Sequence, residues 1–219
     1  MSKQLKIYAI SGLGADQRVF QYLNIKAEII PLNWIAPGKE ESLKEYAHRL
    51  AQEIDVSEPF CIMGVSFGGL IASEIAKIYT PVFTVLISST DVSSGLRNVY
   101  GWIGKMGLLP LVPKQGFDMP RILAGKLFGT KNTQLLNEIL NDADLDFTKW
   151  AVIALTQWKN EVPIKNGLKI TGTKDLLIPV NRDDNSVLIK GGSHFMIVDR
   201  ADEISQIINH SISSFRISQ

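Results

Sequence analysis

Disulfide chemistry is excluded at once, because the 219-residue chain carries one cysteine, Cys61, which has no partner within the chain. It lies in the apolar run "FCIMGV", where an inert core thiol is expected. No stretch approaches the roughly 18 apolar residues of a membrane span. The opening "MSKQLKIYAISGLG" lacks the apolar segment and small-residue cleavage site of a secretory signal. A cytoplasmic protein with no membrane span is therefore expected. Acidic and basic residues nearly cancel to a net charge of +1, and no Lys/Arg block stands out, so the electrostatic footprint of a nucleic-acid binder is missing. Neither G-x-x-x-x-G-K-[ST] nor G-x-G-x-x-G occurs, which removes the usual phosphate cradles. Histidine is scarce: His48, His194 and His210 are the only imidazoles.

What the chain does have is apolar residues, 45% of the total, in short runs. Residues 5–10, 27–32, 60–65, 82–88, 168–173 and 186–191 read as strands, most of them apolar throughout, which suits parallel strands covered on both faces. Helical patterns separate them. Leu43, Tyr46, Ala47, Leu50 and Ile54 share one helix face, and Ser42 with Glu45 forms a capping-box signature ahead of it. "GLIASEIAKIY" reads as a second helix, and residues 202–213 as a third, with Ile204, Ile207, Ile208 and Ile212 on one stripe. The alternation predicts one α/β domain over residues 1–219 with a mostly parallel sheet of about six strands flanked by helices. Residues 91–166 break the pattern with helical patches and no clear strand. A single crossover needs far fewer residues, so this segment is expected to be a helical cap inserted after the fourth strand, over one end of the sheet.

In "IMGVSFGGL", Ser66 stands between Gly64 and Gly68. A strand runs into it and a helix runs out, the context in which a serine is held on a sharp turn with its hydroxyl exposed. The glycines relieve crowding where strand and helix nearly collide, and the helix N-terminus offers backbone N–H groups to developing negative charge. A nucleophilic serine needs a base. His48 and His210 fall off the apolar stripes of their helices and read as solvated surface. His194, in "KGGSHFMIVD" after the last strand, arrives at the same sheet edge and is the expected base. "KITGTKDLLIPV" delivers Asp175 to that edge as the orienting carboxylate, with Asp91, after the fourth strand, as its rival. The expected oxyanion donors are the backbone N–H groups of Phe67 and of Leu13, the latter in the glycine-rich loop after the first strand.

These pieces, "GLGAD" at 12–16, "GVSFGG" at 64–69, "GTKDLLIP" at 172–179 and "GGSHFMI" at 191–197, together resemble the α/β-hydrolase fold family along the whole chain, in particular its small capped serine hydrolases. The order Ser66, Asp175, His194 is that family's order. The resemblance implies a Ser–His–Asp triad, an acyl-enzyme, no metal and no organic cofactor, with a small-molecule acyl substrate as partner. Carboxylic-ester hydrolysis is the expected activity; a thioesterase, a lipase or a C–C hydrolase would use the same parts. There are departures. Ser11 stands where many relatives carry a histidine before the oxyanion loop, and Asp175 and His194 are close in sequence. Ser11 keeps open a second class, a ligand-binding protein on an inactive hydrolase scaffold. In the cap, Trp102, Met106 and Leu109 are the expected lining of an apolar acyl pocket, while Lys105, Lys114 and Arg121 leave room for an anionic substrate group.

Overall fold

The structure, a computed structural model, describes residues 4–180 and 186–217. Its strands are β1 (Lys6–Ile10), β2 (Glu28–Pro31), β3 (Phe60–Val65), β4 (Phe83–Ile87), β5 (Gly167–Gly172) and β6 (Val187–Ile189). They form one sheet in the order β2-β1-β3-β4-β5-β6, and every pair is parallel. The six apolar runs thus supply the six strands, with every strand end within two residues of the expected one. Among the described residues no helix lies between β5 and β6.

The two-residue period of the strands divides the interior in two. Ile7, Ala9, Cys61, Met63, Val65, Val85 and Ile87 point to one face, where α7 (Met196–Asp199) and α8 (Ala201–Ile217) cover them. Tyr8, Ile10, Phe60, Ile62 and Leu86 point to the other, against α1 (Leu43–Leu50) and α2 (Phe67–Ile78). α1 begins on the full capping box: the Ser42 hydroxyl accepts the Glu45 N–H and the Glu45 carboxylate accepts the Ser42 N–H.

The segment between β4 and β5 holds α3 (Asn98–Met106), α4 (Arg121–Phe128), α5 (Thr133–Asp142) and α6 (Leu145–Gln157). It is divided between the two cores. Ala124 of α4 and Leu135, Leu136 and Ile139 of α5 join the face covered by α8, while Phe147, Ala151 and Ala154 of α6, with Trp158, join the face covered by α1 and α2. The spacing of the α6 residues makes a continuous apolar stripe that must be buried, so α6 forms a wall of the main body rather than a detachable cover.

Asp91, the rival carboxylate, is a structural anchor. It is fully buried, pairs with Lys169 Nζ on β5 at 2.7 Å, and accepts the Ile164 N–H at 2.9 Å. The Asn160 side-chain amide donates to its carbonyl. These bonds tie the end of β4 to the stretch entering β5, and none of them leads to His194.

Cys61 is buried as the second residue of β3, and burial pushes its thiol up to about 12. The thiolate is the reactive form, so an aromatic disulfide reagent at pH 8 is expected to leave native Cys61 unmodified and to titrate one thiol per chain only after unfolding in denaturant.

Candidate active site

Ser66 is the first residue beyond β3. Its backbone is strained, with φ 51° and ψ −121°, a region that costs a non-glycine residue about 1–3 kcal/mol. Three contacts hold it. The Ser66 N–H donates to the Ile87 carbonyl at 2.9 Å, and its carbonyl accepts the Gly69 N–H at 2.9 Å and the Ser89 hydroxyl at 2.6 Å. A Cβ at Gly64 would enter the Gly68–Gly69 backbone, and one at Gly68 would strike the carbonyls of Ile10 and Ser11. A Cβ at Gly69 would displace the Ser89 side chain. The second glycine of "GG", for which the sequence pattern offers no reason, therefore makes room for the Ser89 clamp.

His194 Nε2 lies 2.8 Å from Ser66 Oγ, and its Nδ1 lies 2.9 Å from each carboxylate oxygen of Asp175. An ionised carboxylate only accepts, so the Nδ1 proton donates to it and Nε2 is left to accept the serine hydroxyl. Asp175 Oδ1 also accepts the N–H groups of Leu177 and Ile178, each at 2.9 Å. The residue is thus both a turn former and the carboxylate at the histidine. The loops after β5 and β6 are bonded to each other: the Lys174 N–H donates to the Gly192 carbonyl at 2.8 Å, and the Gly191 N–H to Thr173 Oγ1 at 2.8 Å. Direct bonding of adjacent strand ends is how residues only 19 apart in sequence meet.

The loop after β1 turns tightly, with the Ala15 N–H donating to the Gly12 carbonyl at 2.9 Å, and the Gly12 position lies against the Ser66 side chain. Leu13 is inside this turn, and Phe67 opens α2. Ser11 is buried and its hydroxyl donates to the Ala15 carbonyl at 2.8 Å; Trp34 Nε1 donates to the same carbonyl at 2.9 Å. The departure at Ser11 therefore leaves a loop closed by its own hydroxyl and by an indole. Trp34 stacks in turn on Phe147, with centroids 4.9 Å apart, and touches Tyr46 and Phe67. Trp150 reaches both Tyr46 and Phe67. The Tyr46 hydroxyl bonds both backbone groups of Ile35, and burial pushes it up to about 12, so it stays a neutral phenol.

Three further residues approach the site; Phe128 belongs to the apolar cap residues expected near the pocket, while Tyr100 and Ser89 had no sequence signal. Phe128, at the end of α4, lies edge-on to His194 at 5.4 Å between centroids, and the Phe195 N–H donates to its carbonyl at 3.1 Å. Tyr100 of α3 donates to the Leu177 carbonyl at 3.3 Å; burial holds its hydroxyl above the usual phenol range, opposed by the Arg97 charge and aided less by that of Asp175. Ser89 is the third. The expected lining residues lie elsewhere. Trp102 is 65% exposed and borders a hollow of about 710 Å³ between α3 and α6 that includes none of Ser66, Asp175 and His194. Met106 is about half exposed at the end of α3, and Leu109 is half-buried in the short turn that follows. His48 and His210 are exposed. Among the described residues, no group of three or more His, Cys, Asp or Glu side chains is placed to hold a metal ion.

No protein-family model matches the chain, and no curated protein sequence matches it. Solved structures do. An enol-lactonase from Burkholderia xenovorans LB400 superposes with a TM-score of 0.75 at 14% identity, over 97% of this chain and 92% of that one. The chain has the α/β-hydrolase fold. MenH from S. aureus (TM-score 0.70, 16% identity, 99% and 96% covered) and a lipase-esterase related protein from Clostridium acetobutylicum ATCC 824 (0.70, 18%, 95% and 95%) share it. In this fold Ser66 occupies the turn between β3 and α2, at the C-terminal edge of the sheet, and the loops after β1, β5 and β6 gather round it.

Trp34→Phe keeps an aromatic ring against Phe147 and removes only the indole N–H. One neutral hydrogen bond is worth about 1 kcal/mol net, so native-state amide exchange over residues 12–15 is expected to quicken by about fivefold, with exchange in β3 and α2 unchanged.

Proposed function

We propose that the protein is a serine hydrolase that cleaves small to medium carboxylic esters through an acyl-enzyme. The observation that carries this reading is the continuous hydrogen-bonded path from Asp175 through His194 to a strained serine at a helix N-terminus. In this reading Ser66 Oγ attacks the acyl carbonyl while His194 Nε2 takes its proton. The imidazolium is stabilised by Asp175, whose remaining lone pairs already hold two backbone N–H groups and so keep it fixed. The Phe67 and Leu13 N–H groups receive the tetrahedral oxyanion. His194 then gives its proton to the leaving alcohol, and water repeats the sequence on the acyl-enzyme. The fold's similarity to an enol-lactonase and to a lipase-esterase related protein supports cleavage of an acyl C–O bond.

The cap role falls to α3 and α4 rather than to the whole of residues 91–166. Phe128 and Tyr100 reach the His194–Asp175 pair from these helices. An acyl chain entering beside Phe128 meets an aromatic face, so the pocket is read as apolar.

A fluorophosphonate probe is expected to label Ser66 stoichiometrically and to leave a folded Ser66→Ala variant unlabelled. Ester turnover in that variant should drop at least ~10³-fold, and Asp175→Asn should cost about 10⁴-fold by mis-setting the imidazole tautomer. Probe-silent wild-type protein would instead favour the inactive scaffold.

With p-nitrophenyl esters, kcat/KM is expected to rise about fourfold for each methylene from acetyl towards hexanoyl until the pocket fills, since one buried methylene is worth about 0.8 kcal/mol. Monoesters of dicarboxylic acids of matched length, run alongside, should be poorer substrates. A flat series, or preference for the charged one, would overturn the apolar pocket.

A further inference from the structure

Among the described residues, those at 97–131 combine two properties. They hold six basic residues, Arg97, Lys105, Lys114, Arg121, Lys126 and Lys131, against one carboxylate, Asp118. They also present large apolar side chains to solvent: Trp102 is 65% exposed, Leu111 79% and Ile122 80%, and Met106, Leu108 and Leu123 are each about half exposed. Met106 follows Trp102 on the outward face of α3, and Leu108 and Leu111 continue directly into the turn beyond it. Large apolar residues exposed at this density mark a surface that something covers.

We propose that this face of α3, the turn after it and α4 docks on the surface of an anionic lipid bilayer. The charges argue for that occupant. Lys114 is paired with Asp146 and Arg121 with Asp118, but Lys105, Lys126 and Lys131 are exposed and carry no ion pair among the described residues. A second copy of the same face would bring these cations against their own kind. A bilayer accepts them: each Lys or Arg near an anionic surface contributes about 1 kcal/mol, and tryptophan and leucine side chains enter the headgroup boundary individually, with no need for a shaped partner groove. The Leu109–Leu111 turn is also braced from behind, since Lys149 Nζ donates to the Pro110 carbonyl at 2.9 Å, which keeps Leu111 turned outward. No helix among the described residues is long and apolar enough to cross a membrane, so the attachment is peripheral. It does not rest on the chemistry of Ser66.

The test is co-sedimentation of the whole protein with vesicles of phosphatidylcholine alone and of phosphatidylcholine mixed with phosphatidylglycerol. Wild-type protein and Ser66→Ala are both expected to bind the mixed vesicles, to ignore the neutral ones, and to be released by high salt. Leu111→Ser combined with Ile122→Ser should weaken binding at least tenfold, and Lys105→Glu combined with Lys126→Glu should abolish the preference for the anionic lipid. These side chains are exposed, so the variants should melt as the wild type does. Wild-type protein that stays in solution with anionic vesicles overturns the proposal, as does unaltered binding by either double variant. A concentration-dependent dimer that the Leu111→Ser/Ile122→Ser variant dissolves would give the surface to a second copy instead, and also overturns it.

Discussion

The rest of the site depends on how closely the backbones of β1, β3 and the first turn of α2 approach one another. Gly68 sits against the carbonyls of Ile10 and Ser11, and Gly64 against the backbone of Gly68 and Gly69. No other residue type leaves room for this. The consequence is that Ser66 has to take a left-handed backbone, and the surrounding structure must over-determine it. It does so with material that is plentiful: Met63 and Val65 on one side and Ile62, Leu70 and Ile71 on the other are buried in the two cores. Each such side chain contributes about 1.5–3 kcal/mol on burial, so the strain at one residue is offset locally without any special device.

Close backbones create a second demand, which is that buried carbonyls be satisfied. Two carbonyls beside Ser66 are met twice over. That of Ser66 receives Gly69 and Ser89; that of Ala15 receives Ser11 and Trp34. Carbonyls held this way cannot swing, and the N–H groups of the same peptides are fixed in direction as a result. The peptide held through the Ser66 carbonyl carries the N–H of Phe67, an expected oxyanion donor, whereas the bonds to the Ala15 carbonyl brace the loop that contains Leu13. The Trp34 ring then links that loop to Phe67, Phe147 and Tyr46, so the turn at Ser66, the β1 loop and the α6 wall are packed together through one aromatic cluster.

Local signals explain what could be read from the sequence. All six strands, the α1 capping box, the turn at Ser66 and the arrival of His194 at the same edge follow from short-range patterns of apolarity, glycine and capping residues. The meeting of Asp175 with His194 was legible because each ends a strand; the choice of Asp175 over Asp91 was made, but its physical ground was not visible. That choice depends on Lys169, whose side chain reaches Asp91 across neighbouring strands, and no local pattern announces a cross-strand pair. Ser89, Trp34 and Tyr100 stayed hidden for the same reason: their partners are far along the chain. The helices of residues 91–166 were visible by period, yet their division between two cores was not, because period gives the buried face of a helix and not what buries it. Trp102 shows the cost. An apolar residue on a cap helix suggested a pocket lining, and the structure turns it to solvent.

The same residue exposes a weakness in arguing from net charge. A total of +1 argues against an electrostatic partner, and no run of consecutive basic residues contradicts it. The sum conceals a separation: six of the 23 Lys and Arg fall within residues 97–131 beside one of the 22 Asp and Glu, so the remainder of the chain is net acidic. Screening in salt limits each charge to neighbours within about 8–10 Å, so a partner senses the local excess and not the total. Spacing the cations one per turn or loop, between apolar residues, keeps any one short window unremarked. The acidic remainder has a physical effect of its own: near an anionic surface it is repelled as the basic face is drawn in, which orients the molecule before any apolar side chain makes contact.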